Sequence, residues 1–256
     1  MPLTRLEIAG AVARLTFNRP ERHNSLVPDL IAALKQDLAR VAAIPELRAL
    51  VLQAEGRSFS TGGDVGGFFA VPQGQRRAYA DGLVGGLNDC ILALLDLPIP
   101  VLGRIQGPVT GGSLGFLLAC DLVAITPQVF VQPYYTEVGF SPDGGWTALL
   151  PARIGESAAR EIQLRNRRIG ATEAVRLGLA TALVEPDALD ATIDGWLQEM
   201  TTKQPGAMRH TKANLLPPAR RAAIVAALEQ EKQSFLEQID SEEAHHGMAR
   251  FLGKSA

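Results

Sequence analysis

Residues that build metal clusters or disulfide frameworks are scarce in this sequence. It holds two cysteines, Cys90 and Cys120, and four histidines in 256 residues. The cysteines lack C-x-x-C spacing, so neither a zinc cluster nor a disulfide scaffold is expected. His245 and His246 are adjacent, and neighbouring side chains on a helix point about 100° apart. They read as a solvated helix face, and no metal is called. Positive charge is not in excess: the net charge is −2, which argues against a general nucleic-acid binder. A local basic site for a phosphorylated ligand stays open. The longest apolar stretch taken from the sequence, Leu114 to Ile125, contains Asp121 and is too short to span a bilayer. The opening "MPLTRLEIAG" has no apolar core of signal-peptide length. The expectation is a cytoplasmic chain with no membrane partner. Phosphate-loop signatures are missing too: there is no G-K-[ST], and no G-x-G-x-x-G opens a helix after the first strand.

Apolar residues are plentiful. At 46% hydrophobic, the chain can bury a large core. "LTRLEIAGAVARLTFN" reads as a β-hairpin turning at Ala9-Gly10. "PDLIAALKQDLARVAAI" has helical spacing with Pro28 in its first turn. "LRALVLQAE", "IPVLGRIQG" and "LVAIT" read as buried strands. Residues Gln75 to Leu95 and "GGSLGFLLACD" read as helices between them. This alternation implies an α/β core with largely parallel pairing. Beyond about Gly155 nearly everything is helical apart from a short strand, "ATALVE".

Two glycine-rich loops follow two of the strands: Ser58 to Gly67, and Gly107 to Gly115, "GPVTGGSLG". Glycine lets the backbone adopt positive φ and present N–H groups to a ligand. At a helix start those groups are unpaired and favour negative charge. Two such loops could aim two donors at one point, as in an oxyanion hole; ordinary glycine turns would look the same. "GGSLG" also matches the nucleophile elbow G-x-S-x-G, with Ser113 as nucleophile and Asp143 and His210 following in triad order. Against a serine hydrolase, "GPVT" intervenes between strand and elbow, and no histidine occurs between 24 and 209.

Four stretches together resemble the crotonase (enoyl-CoA hydratase/isomerase) superfamily. They are "LTFNRPERHNSL" with its N-R-P-x-x-x-N segment, "GRSFSTGGDV", "IQGPVTGGSLGFLLACDLVAI" and "VGFSPDGGWTALLPARIG". The later "ATEAVRLGLATALVE" is similar as well, so the resemblance covers essentially the whole chain. It implies an α/β spiral of ββα turns over residues 1–200 and a helical trimerisation region over 201–256. It implies an acyl-CoA thioester as substrate, with no further cofactor. The thioester oxygen would lie between the N–H groups of Gly63 and Gly112. One such donor is worth about 3–4 kcal/mol of barrier.

The sequence departs from the hydratases of that family at both of their glutamates. The matching positions are Gly115 and, within one residue, Tyr135. One acid remains in the active-site loop, Asp143. It matches the single aspartate of family isomerases, which points to Δ3-Δ2-enoyl-CoA isomerisation. "SPDG" is otherwise an ordinary β-turn with Pro-Asp at its centre. Phe140, Trp146, Tyr134 and Tyr135 should partly desolvate this carboxylate and raise its basicity. Glu137 is a candidate second acid if its segment is extended. Asp64 reads as a loop brace and Asp121 as an organiser of the helix-to-strand turn. A hydratase-type lyase with a reduced acid set is the alternative, followed by a catalytically inactive CoA-binding protein. An aryl-CoA dehalogenase would need a histidine on the helix from Gln75 to Leu95, which has none.

By the same resemblance, Arg22, Arg57 and Lys212, with Lys254 a weaker addition, are the cations expected to meet CoA phosphates. Ser25, Ser60, Asp64, Phe68, Tyr135 and Trp146 complete the set expected to contact substrate or CoA. Phe68, Phe69, Leu83, Leu87 and Trp146 could line the acyl pocket or simply pack the core. A homotrimer or dimer of trimers is the implied assembly.

Overall fold

A computed structural model describes residues 2–254. Strands β1 (Thr4–Ala9) and β2 (Val12–Phe17) form the expected antiparallel hairpin, turning where Gly10 takes φ +57°. Helix α1 (Pro28–Ala42) begins on its proline, whose missing N–H would have had no helical partner there. It buries Leu30, Ile31, Leu34, Leu38 and Val41 along one face. β3 (Ala49–Ala54) then joins β2 in parallel.

β3 shows why the sheet sits at the centre. Its first four residues, Ala49 to Leu52, are fully buried, as befits a strand of a parallel sheet covered on both faces. Side chains alternate across a strand. Leu50 and Leu52 join the main core, while Ala49 and Val51 join a second cluster with Leu189, Ile193 and Leu197 of α9 (Leu189–Thr201). β4 (Val101–Ile105) follows beside β3. β6 (Leu122–Ile125) and β9 (Ala182–Leu183) complete the sheet, in the order β1-β2-β3-β4-β6-β9. All its pairings after the hairpin are parallel. A second sheet, β5-β7-β8, is built from β5 (Val109–Thr110), β7 (Phe130–Gln132) and β8 (Ile169–Gly170).

Helices fill the connections: α2 (Val65–Ala70), α3 (Arg76–Asp96), α4 (Leu114–Ala119) and the single turn α5 (Tyr135–Val138). Next come α6 (Leu150–Ile154), α7 (Glu156–Leu164) and α8 (Ala171–Arg176). After α9 the chain is helical: α10 (Pro205–Leu215), α11 (Pro218–Gln238) and α12 (Glu242–Phe251). Phe235, Leu236 and Ile239 from this last part belong to the same core as β3 and α3.

Among the described residues one helix, α3, is long and apolar enough to cross a membrane by length and composition, although the sequence reading weighed only the shorter stretch from Leu114 to Ile125. Half of that window is buried inside the protein, where Leu83, Leu87, Ile91 and Leu94 enter the main core.

Candidate active site

The two glycine loops are bound to each other. Ser60 N–H donates to Pro108 O (3.1 Å) and Thr110 N–H donates to Ser60 O (3.2 Å). Gly107 must be glycine at this crossing, because a Cβ there would run into the Arg57 carbonyl. Asn24, the last residue of the N-R-P-x-x-x-N segment, pins the first loop by donating to Glu55 O (2.9 Å) and Ser58 O (3.0 Å).

The first loop then runs alongside Leu26, whose N–H donates to Gly62 O (2.8 Å) and whose carbonyl accepts from Asp64 N–H (3.1 Å). Successive N–H groups of an extended segment point opposite ways. Gly63 N–H therefore faces away from Leu26, and it takes no intramolecular partner among the described residues. Gly112 lies in the first turn of the helical segment that opens at Gly111, where N–H groups have no helical acceptor. Its N–H is likewise unpaired within the described chain. A Cβ on Gly62, at φ +75°, would stand 3.3 Å from Gly112 N. Both Gly63 and Gly112 line one cavity of about 800 Å³.

Asp143 lines the same cavity. It is 7% exposed. The next residue, Gly144, has φ +63° and rests on Gly112, where a Cβ on Gly144 would come within 2.6 Å of the Gly112 Cα. A Cβ on Gly112 would in turn lie 3.0 Å from Asp143 Oδ1. The carboxylate is thus packed against the second loop. Tyr135 donates its hydroxyl to Asp143 Oδ1 and reaches the Asp143 carbonyl as well. Burial pushes the Asp143 carboxyl up to about 7. The Tyr135 hydrogen bond opposes that rise, and the charge of Glu231 adds to it. The Tyr135 hydroxyl is itself pushed well above its usual range, first by burial and then by Asp143.

Gly115 has no room for a side chain. A Cβ there would collide with Ile91 Cδ1 and stand 2.6 Å from the Gly144 carbonyl. No described cluster of histidine, cysteine, aspartate or glutamate could hold a metal ion.

The structure brings most of the remaining expected residues to the cavity. Arg22 and Arg57 stand at its wall with Ser25, Asp64, Phe68 and Tyr135. Arg57 donates to the ring of His23 (3.0 Å), a third basic group that the sequence reading passed over. Asp64 caps α2 through Gly67 N–H (3.1 Å), so the brace reading describes its geometry.

Several expected residues lie elsewhere. Ser60 is fully buried and donates to Asn24 O (2.8 Å), inside the loop rather than on the cavity. Trp146 is also fully buried, its indole N–H donating to Gly111 O (2.8 Å). It ties the loop that carries Asp143 to the second glycine loop instead of facing a ligand. Lys212 is held by Asp121 (2.7 Å) and the Ile99 carbonyl (3.0 Å), away from the cavity. Asp121 does organise its turn, through Val101 N–H (2.8 Å). Lys254 sits over the Phe69 ring at 4.9 Å. Glu137 is on a helical turn, not a strand, and is exposed. Ser113 cannot be the nucleophile of a hydrolase: it is fully buried and donates to Thr110 O (2.7 Å) and Ser60 O (3.0 Å). His210 lies exposed on α10.

The sequence reading also missed Glu231. A signal was present: in α11 the buried stripe runs Ile224, Leu228, Glu231, Phe235, with an acid at a core position.

The chain is similar to known proteins. Residues 7–256 match the family described as Enoyl-CoA hydratase/isomerase. A probable enoyl-CoA hydratase of Mycobacterium bovis is 36% identical over 182 residues, 70% of this chain and 64% of that protein, under two thirds of its length. The (E)-benzylidenesuccinyl-CoA hydratase of Thauera aromatica is 35% identical over 216 residues, 83% of this chain and 81% of that one. The crystal structure of an enoyl-CoA hydratase from Bacillus halodurans superposes with a TM-score of 0.91 over 97% of this chain and 99% of the other, at 23% identity, a likeness of fold. The chain, a crotonase fold of two sheets with C-terminal helices, belongs to the enoyl-CoA hydratase/isomerase family.

Proposed function

We propose that the protein is a Δ3-Δ2-enoyl-CoA isomerase in which Asp143 is the sole proton carrier. The observation that carries this reading is a buried carboxylate packed against the second glycine loop, in a cavity that Gly63 of the first loop also lines, with the neighbouring position Gly115 closed to a second acid. Hydration across a double bond calls for groups that activate and protonate on either side of a water. Moving a double bond needs one base that gives its proton back.

In this reading the thioester oxygen accepts from Gly63 N–H and Gly112 N–H. Asp143 removes a proton from C2. The C–H electron pair conjugates with the C3–C4 double bond, and charge gathers on the thioester oxygen, where two fixed donors meet it. The carboxylic acid then delivers the same proton to C4, the double bond settles between C2 and C3, and Asp143 is again a carboxylate. Tyr135 holds Oδ1 in place, leaving Oδ2 to exchange the proton. A carboxyl poised at about 7 is matched to giving and taking at neutral pH. Arg22 and Arg57 would meet CoA phosphates at the rim, and Phe68, Leu83 and Leu87 the acyl chain.

Hydration with a reduced acid set is the second reading, favoured by the hydratase names of the relatives from Mycobacterium bovis and Thauera aromatica. The assembly is proposed as a homotrimer or dimer of trimers formed through residues 201–256, and the location as cytoplasmic. α10 supports the assembly: none of its residues is buried within the chain, and Leu215 is 67% exposed. The deciding assay offers 2-enoyl-CoA and 3-enoyl-CoA to the wild type and to Asp143→Asn. Conversion of the 3-enoyl to the 2-enoyl thioester by the wild type alone supports the proposal. Formation of 3-hydroxyacyl-CoA, or undiminished isomerisation by the variant, refutes it.

A further inference from the structure

One buried acid has no part in that chemistry. Glu231, in the middle of α11, is 4% exposed. Its Oε1 accepts from Thr147 N–H (2.5 Å), Thr147 Oγ1 (2.7 Å) and Ala148 N–H (2.8 Å), and its Oε2 accepts from Gly145 N–H (2.8 Å). Three of these donors are backbone N–H groups, which cannot accept. Burial pushes the Glu231 carboxyl up, and these donors oppose that rise in favour of the carboxylate, because a proton on Oε2 would be aimed at the Gly145 N–H. Taking a carboxylate out of water costs several kcal/mol. A residue present only to fill this stripe would be apolar, like its neighbours Leu228 and Phe235.

What Glu231 grips is the stretch immediately after Asp143. Gly144 and Gly145 both have positive φ, +63° and +90°, so few conformations of this turn place the base correctly. Trp146 ties the turn to Gly111 from one side, and Glu231 holds it from the other.

We propose that Glu231 is a positioning residue: from the C-terminal helix it clamps peptide units 145–148 and so fixes the Asp143 carboxylate against the Gly112 loop. The proposal rests on reading Asp143 as the base. A second effect follows from charge. The titratable groups acting on Asp143 are the Tyr135 hydroxyl from α5 and Glu231 from α11. α3 presents apolar Leu83, Val84 and Leu87 to the cavity. Removing the negative charge of Glu231 lowers the proton affinity of Asp143.

The experiment compares wild type, Glu231→Gln and Thr147→Val as full chains, after circular dichroism and thermal melts confirm folding. The Asp143 carboxyl is titrated by carbon NMR without substrate, and kcat and KM are measured on 3-enoyl-CoA. In Glu231→Gln the Asp143 midpoint falls by about half a pH unit or more. Its kcat falls about tenfold or more, with KM little changed, because a displaced catalytic group weakens the transition state and not binding. Thr147→Val removes one hydrogen bond but no charge. It leaves the midpoint in place and lowers kcat by about two- to fivefold. A folded Glu231→Gln protein with the wild-type midpoint and kcat overturns the proposal. If that variant does not fold, an unchanged kcat in Thr147→Val overturns it. The titration needs no turnover, so a wild type that fails to isomerise refutes the isomerase reading alone and leaves the midpoint to decide the role of Glu231.

Discussion

Asp143 is a carboxyl that folding has taken out of water and given one donor, Tyr135. Its proposed role as base predicts that Asp143→Asn binds acyl-CoA as the wild type does and loses about 10²–10⁴-fold in kcat, the usual weight of a general base. Calorimetric binding and single-turnover assays check both halves. In the wild type, kcat/KM should rise with pH through about 7 as the carboxyl ionises. Stability should respond in the opposite sense. The folded carboxyl holds its proton up to about 7, whereas its ordinary value is 3.8. Between those values the folded state binds more protons than the unfolded one, so stability falls as pH rises. Asparagine does not titrate. The melting temperature of Asp143→Asn relative to wild type should therefore climb between about pH 4 and pH 7 and level off above. A constant difference across that range would show the carboxyl to be ordinary. At the neighbouring closed position, Gly115→Ala forces a Cβ against Ile91 and the Gly144 carbonyl. It should cost about 1–3 kcal/mol, measured by denaturant unfolding. The desolvated setting of Asp143 was legible from its aromatic neighbours, whereas its proposed role came from the family resemblance, because Pro-Asp-Gly alone reads as an ordinary turn. The contacts that Tyr135 and Glu231 make with this loop were not legible: one depends on the turn at Tyr134, the other on a helix some 86 residues further along the chain.

At the scale of elements, local patterning carried the reading well where periodicity was strong. The proline-led α1 follows from residue spacing, the hairpin over β1 and β2 from its Ala9-Gly10 turn, and the buried β3 from its apolar run. The segment from Tyr134 to Gly139 did not follow in this way. The candidacy of Glu137 supposed an extended segment, but Tyr134 takes φ +66° and opens the turn α5. That turn swings Glu137 out to solvent and Tyr135 inward to Asp143. A non-glycine residue in the left-handed region is held there by its surroundings. Here Asn166 Oδ1 accepts from Tyr134 N–H (2.8 Å). The cap of α12 gives a test independent of catalysis. Ser241 Oγ accepts from Ala244 N–H (3.1 Å), so Ser241→Ala should lose about 1 kcal/mol. For a chain of this size that is about 2–4 °C in melting temperature. Because α12 packs against α2 and α5, this variant also reports whether loosening the last helix reaches the site. Unchanged kcat with a lowered melting temperature is the expected outcome.

Across the whole molecule, the six-stranded sheet is a partition. One face supports α9, while the other carries the core from which both glycine loops project. The C-terminal helices return to that core, and one of them reaches the loop that carries Asp143. The family was legible because its motifs sit in the loops that this partition positions. The expected contacts of Lys212 and Trp146 were less so, since a sequence does not say which polar groups the fold will spend on itself. The most direct measurement uses 3-enoyl-CoA carrying deuterium at C2 and locates the label in the product. If Asp143 carries the same proton from C2 to C4, the wild type yields 2-enoyl-CoA with deuterium at C4, and Asp143→Asn yields none. A product hydroxylated at C3, or one whose C4 hydrogen comes wholly from solvent in the wild type, would contradict the account.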